Sequence, residues 1–200
     1  MTGPGLRERK KQDTRAALAK ATLDLAVEHG LAAVTVEQIA ARAGVSYRTF
    51  FNYFSGKEEA LLRPDAGDVP FALRLRAQDP ALAPLEAARR ALREQLASLD
   101  EDQAGWRQRL TVIAAAPELL PRLVEIGSAG EREMAEALAD LTGEDPERDL
   151  YPGLLAAVLG CAVRVSIGRW HALGESRPLA ALFDESVALL AAGLPAPHTP

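Results

Sequence analysis

Apolar positions along this chain recur mostly at helical spacing. Leu18, Ala21, Thr22 and Leu25 fall on one face of a helix predicted over residues 13–29, and Gly30 is placed to end it as the residue after the C-cap. Thr35 and Gln38 have the spacing of a capping box and predict a second helix over 36–43, interrupted by Gly44. Ser46 is the next N-cap, opening a third helix over 47–53. Ser55 and Glu58 form a further capping-box pair, and the fourth helix that they open is stopped by Pro64. Residues 64–84 read as a linker, broken by Pro64, Gly67, Pro70, Pro80 and Pro84, with one short helix near 71–76. Longer Ala- and Leu-rich helices follow at 84–102, 105–116, 118–141, 146–173 and 178–193. Pro84, Pro146 and Pro178 sit near helix starts, Asp145 and Arg177 precede two of them, and Ser176 is a candidate cap. The last residues, 195–200, are expected to fray.

The second and third helices carry the most specific chemistry. Ala40, Ala43 and Gly44 are small enough for two short helices to cross closely at a turn. Ile39, Val45, Phe50 and Phe54 then supply a small core. Tyr47, Arg48, Thr49, Asn52 and Tyr53 are left facing outward, a set with cation, aromatic and amide but no acid. Such a face suits a DNA major groove, where side chains reach base edges and phosphate oxygens.

Composition narrows the class. At 200 residues the chain can bury a core without metal or disulfide, and few aromatic and β-branched residues favour an all-α fold. The single Cys161 allows no internal disulfide and suits a reducing compartment. No apolar run is expected to span a membrane and no signal segment opens the chain, so a soluble cytoplasmic protein is expected. Net charge is −5, unevenly spread: residues 1–63 hold ten Lys and Arg against seven Asp and Glu. Arg7, Arg9, Lys10, Lys11 and Arg15 are the densest basic cluster, which fits a polyanionic partner or, equally, a solvated tail. His29, His171 and His198 have no metal-ligand spacing with Cys161, and no phosphate loop or nucleophile elbow occurs. Glu118, Glu125, Glu131, Glu133 and Glu136 read as a solvated face, so no catalytic residue, metal or cofactor is expected.

The segment from Thr35 through Ala40, Ala43, Gly44, Val45 and Ser46 to Phe50, Tyr53, Phe54 and Lys57 resembles the DNA-binding domain of the TetR family, without gaps over about residues 13–62. RTFFNYF and the early Pro64 more narrowly resemble actinobacterial regulators of acyl-chain-like or redox-cofactor-linked ligands. The resemblance implies a helix-turn-helix domain at 1–63 and a helical ligand-binding and dimerisation bundle at 64–200. It implies that Thr35 meets a phosphate, that Ser46, Tyr47, Arg48 and Thr49 face bases, and that Asn52 and Tyr53 contact the DNA backbone. Lys57 would hold a phosphate as a point charge. Two positions depart from the pattern: Phe51 replaces a phosphate-binding Tyr found in many members, and Glu37 stands where some members read a base with Arg.

The implied partners are double-stranded operator DNA, an apolar small-molecule effector and a second copy of the chain, which acts as a homodimeric repressor. Candidate pocket residues are Trp106, Arg109, Leu110, Ile113, Leu123, Ile126, Arg164 and His171. Arg164 interrupts an apolar run and so must pair with an acid, snorkel or meet an anionic ligand. The dimer face is expected on Leu155, Leu159, Val163, Ile167 and Trp170 with Leu182, Val187, Leu189 and Leu190, although each could instead fill a core within one chain. A helical protein-interaction adaptor that never binds DNA is the alternative function.

Overall fold

The computed structural model describes residues 6–64, 69–173 and 177–196. Gly67, Ser176, His198 and the end of the expected tail lie outside the described residues, as does the Arg7 side chain. The described chain forms ten α-helices and three short 3-10 turns. They group into two compact units, the first of residues 1–68 with 104–124 and the second of 69–103 with 125–200.

In the first unit, α1 (Leu6–His29) begins well before the predicted residue 13. Its added turns are charged helix formers with no apolar face to reveal them by periodicity. Leu18, Ala21, Thr22 and Leu25 are buried, as expected, and Gly30 ends the helix at φ +77°. After a 3-10 turn at Leu31–Ala33 comes α2 (Val36–Arg42), opened by the predicted capping box: the Gln38 N–H donates to Thr35 Oγ1 at 3.3 Å and the Thr35 N–H to Gln38 Oε1 at 2.9 Å. Gly44, at φ +69°, makes the turn that only a residue without a Cβ adopts freely. The Gly44 N–H reaches Ala41 O at 3.2 Å and the Val45 N–H reaches Ala40 O at 3.0 Å, the paired bonds of a Schellman ending. Then come α3 (Tyr47–Phe51) and α4 (Lys57–Leu62). The predicted Ser55–Glu58 box does not form: Gly56 is the N-cap, and Ser55 donates from its N–H and hydroxyl to Glu59 Oε2 at 2.8 and 2.6 Å.

Ile39, Phe50 and Phe54 pack with Leu18, Ala21, Leu25 and Val34, with Val45 half-buried beside them. A second cluster joins Leu23, Ala26, Leu31 and Leu61 to Ala116 and Leu119. This cluster explains why 104–124 belong to the first unit, where a single boundary at 63/64 had been expected.

The second unit holds α5 (Phe71–Arg76), α6 (Pro84–Leu99), α9 (Leu150–Leu173) and α10 (Leu179–Ala191). Between α6 and α9 run a 3-10 turn at Asp100–Asp102, α7 (Gln103–Ala114) and, after a 3-10 turn at Pro117–Leu119, α8 (Leu120–Thr142). α9 starts later than residue 146 because Asp145 folds the chain back: its carboxylate accepts from Glu147 N–H at 2.9 Å, and its carbonyl from Asp149 N–H at 2.8 Å. Pro178 gives α10 no side-chain cap, and Asp100 supplies one instead, accepting from Leu179 N–H at 2.9 Å. α10 packs on α9 and α6. Arg89, paired with Glu86 on its own helix, tethers α10 by donating to Asp184, and Arg93 Nε donates to Asp184 at 2.8 Å.

One expectation is corrected here: α9, with mean hydropathy 1.7 over its most apolar window, is long and apolar enough by length and composition to cross a membrane. Leu155, Ala156, Leu159, Ala162 and Trp170 on it are nonetheless buried within the unit.

Candidate nucleic-acid interface

The exposed face of α3 is made by its short length and by two caps. Ser46 Oγ accepts from Thr49 N–H at 3.1 Å and lies 2.7 Å from Thr49 Oγ1, fixing the first turn. Phe50 is fully buried, so Tyr47, Arg48 and Phe51 are turned out. Tyr47 and Phe51 are 51% and 45% exposed and meet edge to face at 5.0 Å, which backs the Tyr47 ring. Thr49 is half-buried, and Asn52 is exposed as the C-cap. Tyr53 was expected outside but packs half-buried against the core, because α3 ends at Phe51 and the chain turns there. Phe51 occupies that outer face in its place.

Thr35 lies exposed at the N-terminus of α2, and its hydroxyl accepts from Gln38 N–H. The hydroxyl proton stays available to donate to an anion at the positive end of the helix. Glu37 is exposed. Arg42 braces α2 against α1 by a two-pronged bond to Glu28, both distances 2.9 Å, and its hydrogen bonds hold the Glu28 carboxyl below its ordinary pKa.

Two cations expected to face the solvent or DNA are instead turned inward. Arg15, counted with the basic cluster, donates to Tyr53 O at 2.6 Å, Arg63 O at 2.9 Å and Pro64 O at 3.1 Å. Its guanidinium also lies 4.0 Å from the Phe54 ring centre. Position 15 shares the helical face of Leu18, Thr22 and Leu25, a signal legible in the sequence. Lys57 Nζ lies 2.8 Å from Leu31 O, 3.2 Å from Ala32 O and 2.8 Å from Val34 O. The expected phosphate contact is therefore not prepared by the geometry of this side chain. Burial pushes the Glu59 carboxyl up, but hydrogen bonds from Ser55 and the charges of Arg15 and Arg122 outweigh it and hold the pKa low.

Residues 18–63 match the sequence pattern described as bacterial regulatory proteins of the tetR family, and residues 82–195 match that described as the MftR C-terminal domain. The chain belongs to the TetR family. The HTH-type transcriptional regulator TcmR of Streptomyces glaucescens is 32% identical over 176 residues, which cover 84% of this chain and 78% of TcmR. Among solved structures, the fatty acid degradation regulator FadR of Bacillus halodurans matches with a TM-score of 0.59 at 21% identity, over 90% of this chain and 98% of that one. SmeT, the repressor of a Stenotrophomonas maltophilia multidrug efflux pump, matches with a TM-score of 0.58 at 23% identity, over 94% and 96%. The all-α fold is that of TetR-family regulators.

The eight residues expected to line an effector pocket of this TetR-family chain are divided between its units. In the first unit Arg109 is buried and donates to the carbonyls of Ala60 and Leu61, so its guanidinium caps the end of α4. Ile113 and Leu123 pack against the Leu23, Leu61 and Leu119 cluster as core. Trp106 and Leu110 are half-buried, and the Arg109 guanidinium lies 5.2 Å from the Trp106 ring centre. In the second unit Arg164 is exposed and pairs with Glu131, the acid-paired one of its readings, while Ile126 and His171 are half-buried.

The residues expected at a partner face on α9 and α10 differ in burial. Leu155, Leu159, Trp170, Leu182 and Val187 are buried within the second unit, and Val163, Ile167 and Leu190 are half-buried. Leu150, Leu154 and Val165 on α9 and Leu189 on α10 are exposed, with Ala157 and Cys161 between them. Both sides of α9 are apolar, so helical spacing alone could not choose between them.

Proposed function

We propose that this TetR-family regulator binds a palindromic operator as a homodimer, represses transcription from it in the cytoplasm and is released by an apolar small molecule. The observation that carries the reading is the acid-free face of α3, where Tyr47, Arg48, Phe51 and Asn52 are exposed and Thr49 is half-buried. Arg48 takes a guanine edge with two hydrogen bonds, Thr35 donates to a phosphate, and Ser46, Tyr47 and Thr49 contact bases. Asn52 and the Tyr53 edge approach the DNA backbone.

A single such helix binds weakly, so two must be held about one duplex turn apart (~34–36 Å). The exposed apolar residues Leu150, Leu154, Val165 and Leu189 support a partner face on α9 and α10. Val163, Ile167 and Leu190 border it. The effector reading is supported by fold relatives solved with ligands that carry apolar groups: a Thermus thermophilus FadR with lauroyl-CoA and SmeT with triclosan. Release requires only that the effector bind more tightly to the dimer state with lower DNA affinity.

A salt titration of duplex binding tests this reading. A DNA regulator loses affinity log-linearly with rising salt, with a slope reflecting several released counterions. A protein-interaction adaptor shows no duplex affinity at any salt.

A further inference from the structure

The helix-turn-helix segment, residues 35–56, enters at the end of the Leu31–Ala33 turn and leaves at the start of α4. Lys57 is the first residue of α4, and its ammonium reaches back across that segment to Leu31 O, Ala32 O and Val34 O at 2.8, 3.2 and 2.8 Å. An ammonium has three N–H donors and no acceptor, so three carbonyls use all of its hydrogen-bonding capacity. The carbonyls converge because the 3-10 turn directs its C-terminal oxygens one way, and that negative pole attracts a cation. Val34 is buried and directly precedes Thr35, the cap of α2.

We infer that Lys57 is a positioning residue that ties the two ends of the helix-turn-helix together and does not hold a phosphate. The inference rests on the DNA-binding reading above and changes which residues within it carry charge to the DNA. An ammonium moved to a phosphate would have to give up at least one carbonyl at the turn that sets the N-terminus of α2. The half-buried side chain therefore acts through Val34 and Thr35 on the groove-facing surface. Arginine keeps the charge but not the role, because a planar guanidinium cannot aim donors at three oxygens gathered around a single nitrogen.

Lysine side-chain nitrogen NMR on the full-length wild-type protein, free and with a duplex selected from a random library, is the direct test. Lys57 ammonium protons should be protected from exchange in the free protein and should keep their shift when the duplex is added. Lys57→Met should lower the melting temperature of the DNA-free protein by roughly 4–8 °C and weaken duplex binding with no change in salt slope. Lys57→Arg should fail to restore either property. A freely exchanging ammonium, or one that shifts on DNA addition, would overturn the inference. So would an unchanged melting temperature with a salt slope reduced by ~0.9 per subunit in Lys57→Met and rescued by Lys57→Arg. Should neither variant fold, the wild-type ammonium signal still decides. A protected ammonium in a chain that binds no duplex would sink the DNA reading and leave the clasp standing.

Discussion

Phe50 and Phe51 are neighbours in α3 with opposite surroundings, and replacing each in turn separates fold from contact. Phe50 is 0% exposed, packed against Phe54 at 5.8 Å between ring centres and against Ile39, Leu18 and Leu25. Truncation to alanine leaves a cavity that the fixed turns at Gly44 and Ser46 keep from closing, so Phe50→Ala should cost about 3–5 kcal/mol. Phe51 is 45% exposed, with edge contacts to Tyr47 at 5.0 Å and Phe50 at 5.3 Å. Phe51→Ala loses little burial and should cost roughly 0.5–1 kcal/mol. Urea unfolding followed by far-ultraviolet circular dichroism, with Trp106 fluorescence in a Trp170→Phe background reporting the first unit, measures both. Phe51→Ala should still weaken duplex binding, since the Tyr47 ring loses its backing. Equal destabilisation by the two variants, or a Phe50→Ala cost below about 1 kcal/mol, would refute the assignment of inner and outer faces.

Further expectations follow from single features. Arg48→Ala should relax discrimination at one base pair by about 1–3 kcal/mol, read by competition between duplexes that differ at that position. Leu154→Glu should convert a homodimer to monomer in sedimentation and speed reaction of the neighbouring exposed Cys161 with a thiol reagent; a variant that stays dimeric would place the partner face elsewhere. Arg89 and then Arg90 hold the Glu86 carboxyl at about 2, below its ordinary 4.5, so its contribution to stability is present above pH 4.5 and lost as pH falls toward 2. Glu86→Gln should flatten acid unfolding in that window, and an unchanged profile would show that the pairing of Glu86 with Arg89 and Arg90 within α6 adds nothing there.

Most roles set by close neighbours in the chain were legible in the sequence, the Ser55–Glu58 box, replaced by a Ser55–Glu59 pairing, being the exception. The Thr35–Gln38 box, the Ser46 cap and the endings at Gly30 and Gly44 each depend on residues within a few positions, and all four form. Roles fixed by residues far apart in the chain were not. The spacing of Arg15 with Leu18 and Thr22 marks its inward face, but nothing near it in the chain marks its acceptors, the carbonyls of Tyr53, Arg63 and Pro64. Asp100 caps α10 from the end of α6, where nothing near Pro178 announces it. On α9 the pattern failed for another reason: Leu154 and Leu155 are both apolar, and only packing shows that one is exposed and the other buried.

Selection of bound duplexes from a random library, with the purified chain at near-physiological salt, tests the central claim most directly. An enriched palindrome whose half-sites are centred about one helical turn apart is the predicted result. No enrichment at any salt concentration would contradict the account and leave α3 without a nucleic-acid partner.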